Sequence, residues 1–321
     1  MSAVQYDKQL RSYLFLALCC SAILINIFGD YFTQFLLAEI IILSLFAMSL
    51  DFLAGRGGMI SLGHAMFLGI GAYTTTILYI NLSIDPFLCS LITIIIGLIL
   101  GYLIALIITK THGIFFIMIT LALGEMFHSW AFTNDSLGGS DGISGIARPD
   151  LLFMGLDLNE PLLFTYYLIV WLILSYLFLS AITDSPLGRN LDAIRQNSNR
   201  VLSLGGSVKF YKSASFGISS AIACLAGSLY AQLNGFVSPE LSHWTVSGEG
   251  LIMIIVGGIG SLSGAILGAA VVHVLQHELS KLVDWWMLLM GGGFILIVLF
   301  MKDGLWGIIL KFKNYIMEKI C

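Results

Sequence analysis

Apolar residues in this chain run on unbroken, stretch after stretch, for about the 20 residues that carry a helix across a bilayer. Such runs lie near 12–29, 34–54, 60–80, 87–109, 114–133, 161–182, 213–235 and 285–301, and a further glycine-rich apolar stretch fills 249–277. The pattern predicts an all-α polytopic membrane protein, with about eight transmembrane helices plus a glycine-rich re-entrant or broken helix pair. The alternating segments of about ten residues that mark an outer-membrane barrel do not occur. All five prolines, Pro86, Pro149, Pro161, Pro186 and Pro239, fall in connections or at a span edge. Helix breaks inside a span must therefore come from glycine.

Composition sharpens this. The 321 residues are 58% hydrophobic and 11% charged, too little charge to cover a soluble domain. Charge placement then orients the chain. If 249–277 turns back at Gly257–Ser263, 13 of the 15 Lys and Arg share one side, leaving Arg148 and Lys281 on the other. A single crossing would strand five, including Lys302, Lys311, Lys313 and Lys319. Lys and Arg concentrate on the cytoplasmic side, and irregular backbone at membrane depth is tolerated when protein buries it. The re-entrant threading is therefore expected, with both termini and 184–212 cytoplasmic and the acidic loop 134–160 external. The first run follows Lys8 and Arg11 without a small-x-small cleavage site, and reads as a retained helix in a single transmembrane domain over 1–321. Five cysteines without metal-type spacing read as small apolar residues.

Three small-residue faces recur: Gly97-xxx-Gly101, Ala223-xxx-Gly227-xxx-Ala231 and Gly260-xxx-Gly264-xxx-Gly268. They predict close helix packing within the chain. Ionisable residues inside spans are costly and are functional candidates. Glu125 sits near mid-span in "LALGEMFHSW", with His128 one turn on along the same face. The pair either lines a transport path or bonds to a neighbouring helix. Asp51 and Arg56, at a cytoplasmic helix end, are expected to pair locally. Glycine interrupts "GRGGMISLGHAMFLGIGAY", residues 55–73, six times around Ser61 and His64. Broken segments of this kind expose helix ends to a polar path. Candidates for such a path are Ser61, His64, Glu125 and the turn Gly257, Gly258, Gly260 and Ser261. No G-x-x-x-x-G-K-[ST] occurs, and no nucleophile–base or metal-ligand cluster, so neither catalysis nor a metal is expected.

One stretch breaks the apolar pattern. "DSPLGRNLDAIRQNSNR", residues 184–200, is polar and lies between spans. Ser185 suits an N-cap and Pro186 the first helical position. Leu187, Leu191 and Ile194 make one apolar stripe, while Arg189, Asp192 and Arg195 share a polar face. The segment is either an interfacial helix on lipid phosphates or a docking helix for a cytoplasmic partner.

"SLGHAMFLGIGAY", "MITLALGEM" with "GGSDGISGI", "SPLGRNLDAIRQNSNRVLSLGGSVKFYKSASFGISSAIACLAGSLYAQLNGFVSPE" and "GGIGSLSGAILGA" occur in that order. Together these blocks resemble the branched-chain amino acid ABC transporter permeases of the M type, from about residue 40 to 300. Glu125 departs from the glutamine expected there. The resemblance implies a non-enzymatic permease subunit of an ATP-driven importer for leucine, isoleucine or valine in a bacterial inner membrane. Implied partners are a homologous second permease, two ATPase subunits that bind the ATP, and a periplasmic binding protein; no cofactor is implied for this chain. It also implies that the coupling helix maps onto roughly Pro186–Asn199, with Leu187, Gly188, Arg189, Leu191, Ala193, Ile194 and Arg195 as its contacts. Arg189 and Arg195 are then expected as polar contacts, and Leu187, Leu191 and Ile194 as groove anchors. A urea or amide importer of the same superfamily, and an ion-coupled transporter with Glu125 as proton carrier, are the alternatives.

Overall fold

The structure, a computed structural model, describes residues 3–111, 113–150, 158–300 and 304–307. Lys302, Lys311, Lys313 and Lys319, on which the charge argument leaned, lie outside them. The apolar runs form helices because, in lipid, each backbone N–H must find its acceptor within its own segment. The order is α1 Ala3–Phe28, α2 Tyr31–Asp51 running into a π-helical turn Phe52–Arg56, α3 Ala65–Leu82, α4 Pro86–Ile108 and α5 Ile114–Thr133. Then come β1 Ile143–Ser144, α6 Pro161–Asp184, α7 Pro186–Gln196, α8 Ser198–Ser203, α9 Val208–Asn234 and β2 Phe236–Val237. The last elements are α10 Trp244–Gly257, α11 Leu262–Leu282 and α12 Trp286–Phe300.

Expected spans 87–109, 114–133 and 161–182 match α4, α5 and α6 to within two residues at each end. α9 starts five residues ahead of the expected 213, because Ser207 caps it by accepting from the Phe210 N–H. Among the described residues, seven helices are long and apolar enough to cross a membrane, with shorter apolar helices at Ser12–Phe28, Trp244–Gly257 and Trp286–Ile297. The protein is thus an all-α, multi-pass membrane protein.

The stretch 249–277 breaks, as its glycines require. α10 stops at Gly257, Gly258 and Gly260 take φ of +107° and +87°, and α11 begins at Leu262. Only glycine adopts such φ without strain. The pair is unequal: α11's 21 residues reach about 31 Å, and α10's 14 only about 21 Å. They fold back on one another. A Cβ on Gly257 would lie 2.0 Å from the Gly264 carbonyl oxygen, and one on Gly268 1.9 Å from that of Met253.

The centre of the bundle is α9 against α3 and α4. All three small-residue faces pack within the chain, as expected. Gly97 and Gly101 of α4 lie against Cys224 and Ser220 of α9, and Gly227 of α9 against the Leu68 carbonyl. A buried polar set adds to the seam. Thr75 donates to Ser228 at 2.7 Å, Ser90 lies 2.9 Å from Ser228, and Gln232 donates to Ser90 at 2.8 Å.

The two ends of the bundle differ. At one, β1 pairs antiparallel with β2, Ile143 opposite Val237, and Asp85 accepts from the Asp150 N–H. Arg148 there donates to the Asn159 carbonyl at 2.9 Å and sits 4.7 Å over the Phe164 ring. Burial lowers the pKa of this guanidinium from its ordinary value. The other end gathers the π-helical turn, α7, the α10–α11 break and Gly304, which lies against Gly258.

Candidate coupling site and membrane-embedded polar face

The capped helix in the middle of the chain forms as its sequence dictates. The Ser185 hydroxyl accepts from the Leu187 N–H at 3.2 Å, Pro186 occupies the first turn, and Asn197 ends α7 while capping α8 through the Arg200 N–H. Its apolar stripe, however, faces inward. Leu191 and Ile194 are buried in the bundle, Leu187 is half-buried, and Gly188 sits where a Cβ would strike the Thr183 carbonyl. They anchor α7 to its own chain. The residues of α7 left open are Pro186, Arg189, Ala193, Arg195 and Gln196, followed by Arg200 on α8. Both arginines proposed as polar contacts, Arg189 and Arg195, are exposed, and Arg195 also donates to the Gly55 carbonyl.

Asp51 and Arg56 do not pair with each other. Five residues on a helix separate two side chains by about 140°. Arg56 reaches across to Asp192 of α7 at 2.7 Å, and the Asp51 carboxylate accepts from the Gly260 N–H at 2.6 Å. The turn proposed for the path, Gly257, Gly258, Gly260 and Ser261, is thus bonded to the end of α2, with Ser261 buried and donating to the Gly258 carbonyl.

His64 is 0% exposed, walled by Phe46, Phe67 and Phe216, with Nε2 3.2 Å from Ser49 Oγ and 3.0 Å from Ser219 Oγ. Both hydroxyls spend their hydrogens on carbonyls, Ser49 on Phe46 and Ser219 on Ser49. Nε2 therefore carries the proton and donates. The histidine ties α2, α3 and α9 together. Ser61 is buried too, beside the glycine break, whereas the Ala65 N–H at the start of α3 finds its acceptor in Ser247 of α10 at 2.8 Å.

Glu125 and His128 both meet the segment that leads into α10. His128 Nδ1 lies 3.0 Å from the Pro239 carbonyl, and Glu125 accepts from the Trp244 N–H at 3.2 Å. That is the first residue of α10, and His243 before it provides no side-chain cap. The carboxylate thus satisfies an orphan donor and meets the positive end of the helix dipole. Of the two alternatives given for this pair, the bond to a neighbouring helix describes this geometry. Around it the surface stays open: Met126 is 68% and Trp130 54% exposed on α5, and Trp244, Thr245 and Glu249 are exposed on α10. Thr245, Gly248 and Glu249 follow at helical spacing, with His243 5.0 Å from the His128 ring.

Reasoning from sequence overlooked Thr245, Glu249 and His243, and a second pair, Glu39 of α2 with His273 of α11 at 3.1 Å. Each is an ionisable or polar residue in or beside an apolar run, the signal that singled out Glu125. Asp192's partner could not be found that way, since 136 positions separate it from Arg56.

Comparison with known proteins agrees with this architecture. A family model described as "Branched-chain amino acid transport system / permease component" matches residues 32–299. The high-affinity branched-chain amino acid transport system permease protein LivM of Escherichia coli K12 is 29% identical over 280 residues, covering 80% of this chain and 66% of the relative. The corresponding LivM of Salmonella typhimurium LT2 matches to the same extent. A probable branched-chain amino acid transport permease protein LivM of Methanocaldococcus jannaschii is 28% identical over 244 residues. The chain spans about two thirds, 66%, of the length of the two bacterial relatives. No solved structure matches. With its helices, its glycine-broken pair and a family match over most of its length, the chain belongs to the permease components of branched-chain amino acid transport systems.

Proposed function

We propose that this chain is one membrane subunit of an ATP-driven importer, carrying leucine, isoleucine or valine into the cytoplasm across a bacterial inner membrane. α7 is read as its coupling helix. In this reading a homologous second permease completes the membrane part, two separate ATPase subunits bind and hydrolyse ATP, and an external binding protein delivers the substrate. The observation that carries it is α7 itself, a capped helix fastened to the bundle by its apolar side, with Arg189, Ala193, Arg195 and Gln196 left outward. A helix that only met lipid headgroups would turn its apolar stripe to the membrane. The stripe is instead spent on the chain's own core, and a polar, basic face remains for a protein surface.

The substrate path, in this reading, follows the open side of α10 and α5. Ionisable side chains facing lipid at membrane depth are costly, and Glu125, His128, His243 and Glu249 share this side. Glu125 acts there by holding the start of α10, not as a proton carrier, since its carboxylate already accepts from a backbone N–H.

The test is competitive uptake of leucine against urea in proteoliposomes, with and without the ATPase subunits. The expected result is ATP-dependent leucine uptake that branched-chain amino acids inhibit and urea does not. Uptake that persists without ATPase subunits, or that urea alone inhibits, would overturn the reading.

A further inference from the structure

Three pieces of chain far apart in sequence meet at the α7 end through short polar contacts. α7 holds the π-helical turn by two neighbouring side chains: Asp192 pairs with Arg56 at 2.7 Å, and Arg195 donates to the Gly55 carbonyl. The same turn is held to the α10–α11 break, where the buried Asp51 carboxylate, at the turn's start, accepts from the Gly260 N–H at 2.6 Å. No side chain fits between turn and break, because a Cβ on Gly55 would lie 2.4 Å from the Gly260 Cα. Gly58, at φ +63°, leaves just enough room for the Arg195 stem, whose Cγ would stand 3.0 Å from an added Cβ.

These contacts lie at the foot of a lever. α10 rises from the break for its 14 residues and ends at Trp244, whose N–H is held by Glu125 of α5. At its base Gly258 and Gly260 take positive φ, which only glycine holds without strain. A shift of α7 is therefore carried by two rigid contacts to the base of α10, and by α10 to the open polar face.

We infer that Asp51, Gly55, Arg56, Asp192 and Arg195 form a clamp that makes α7, the π-helical turn and the α10–α11 break move as one body, so that displacement of α7 repositions α10. The clamp residues act through α10 and touch no substrate; they are positioning residues. The inference rests on the reading of α7 as the ATPase-facing helix. It adds where that helix delivers its motion.

The experiment uses the whole transporter in proteoliposomes. Arg56→Asp and Asp192→Arg are each expected to lower leucine uptake roughly tenfold while ATP hydrolysis continues, a coupling loss of ordinary size. The double charge swap is expected to recover most of that uptake. Single variants with parental uptake, or a double swap no better than either single, overturn the clamp. A second measurement does not depend on those variants. Spin labels at the exposed Ala193 and Ile259, on a chain stripped of its native cysteines, report the separation of α7 from the break. The parent is expected to keep that separation with and without trapped ATP, whereas Asp51→Ala, which removes the acceptor of the Gly260 N–H, broadens it. A parental separation that changes with nucleotide as much as the variant's overturns the clamp. If the ATPase subunits bind the parent and Arg189→Glu releases them, the reading of α7 stands and only the clamp is at stake. If they bind neither, both fall.

Discussion

α9 and α10 both present small residues at helical spacing, yet to opposite surroundings. On α9, Gly217, Ser220, Cys224 and Gly227 press against the backbones of α3 and α4 so tightly that a Cβ on Gly227 would sit 1.8 Å from the Leu68 carbonyl oxygen. On α10, a Cβ on Gly248 would meet nothing within 4 Å, and its neighbours Thr245 and Glu249 are exposed. A small residue on the first surface makes room for another helix, which is how helices associate in lipid. On the second it leaves a polar surface uncovered. The α3–α4–α9 seam is a frame, and the α5–α10 side is the face proposed above for the substrate path, the working face of that reading.

The largest expected effect comes from overfilling the frame. Gly227→Ala has no room for its methyl group and no flexible side chain to push aside, since the nearest atoms are the Leu68 backbone. Overpacking of this kind costs about 1–3 kcal/mol. Thermal unfolding of the detergent-solubilised protein should fall accordingly, and a variant as stable as the parent would show that α9 is not the rigid seam described.

On the working face the next effect is specific to charge and shape. Glu125→Leu leaves the first N–H of α10 unpaired and removes the negative charge at its start, worth up to about 2 kcal/mol in a partly buried site. Leucine uptake is expected to drop about tenfold, that being the effect of 1.4 kcal/mol. Glu125→Gln keeps an oxygen acceptor and should keep most of the uptake. Equal losses in both would point to a carboxylate that works by its proton instead.

Third in size is the outer face of α7. Arg189 is exposed, so Arg189→Glu should leave stability within about 0.5 kcal/mol of the parent. Retention of the ATPase subunits should weaken, and more so at low salt, because exposed charges are screened as ionic strength rises. Ile194→Val should do the reverse. It removes one methyl group from a side chain buried in the bundle, costs about 0.5–1.5 kcal/mol of stability, and should leave ATPase retention unchanged. A pull-down that loses the ATPase in Ile194→Val at unchanged stability would restore Ile194 to the partner-facing surface.

Much of this was legible in the residues. Run length determined the helices, glycine marked the break at 257–261, and Ser185–Pro186 announced α7. What periodicity cannot say is which way a stripe faces. Leu187, Leu191 and Ile194 form an equally good stripe whether they dock on a partner or on their own bundle, and only the packing decides. The clamp was hidden for a related reason. Asp51 and Arg56 are neighbours in sequence, and their true partners, Gly260 and Asp192, lie 209 and 136 positions away. One of those is a backbone amide, which no residue type reveals. Glu249 went unremarked because it opens a run that was read only for its glycines.

The smallest prediction returns to the contrast between the two glycines. Gly248→Ala makes the same chemical change as Gly227→Ala, on a surface where the new methyl group meets open space. Gly248 lies inside α10, where glycine costs a helix about 0.5–1 kcal/mol relative to alanine. The substitution should therefore raise stability by about that amount, the opposite sign to Gly227→Ala. Uptake need not follow stability. If the open side of α10 is where substrate passes, a methyl group beside Thr245 and Glu249 intrudes on that side, and leucine should be taken up more slowly by a more stable protein. Should Gly248→Ala gain stability and lose no uptake, the path runs elsewhere; should it lose stability, α10's open side is covered by a helix, and the distinction between frame and working face disappears.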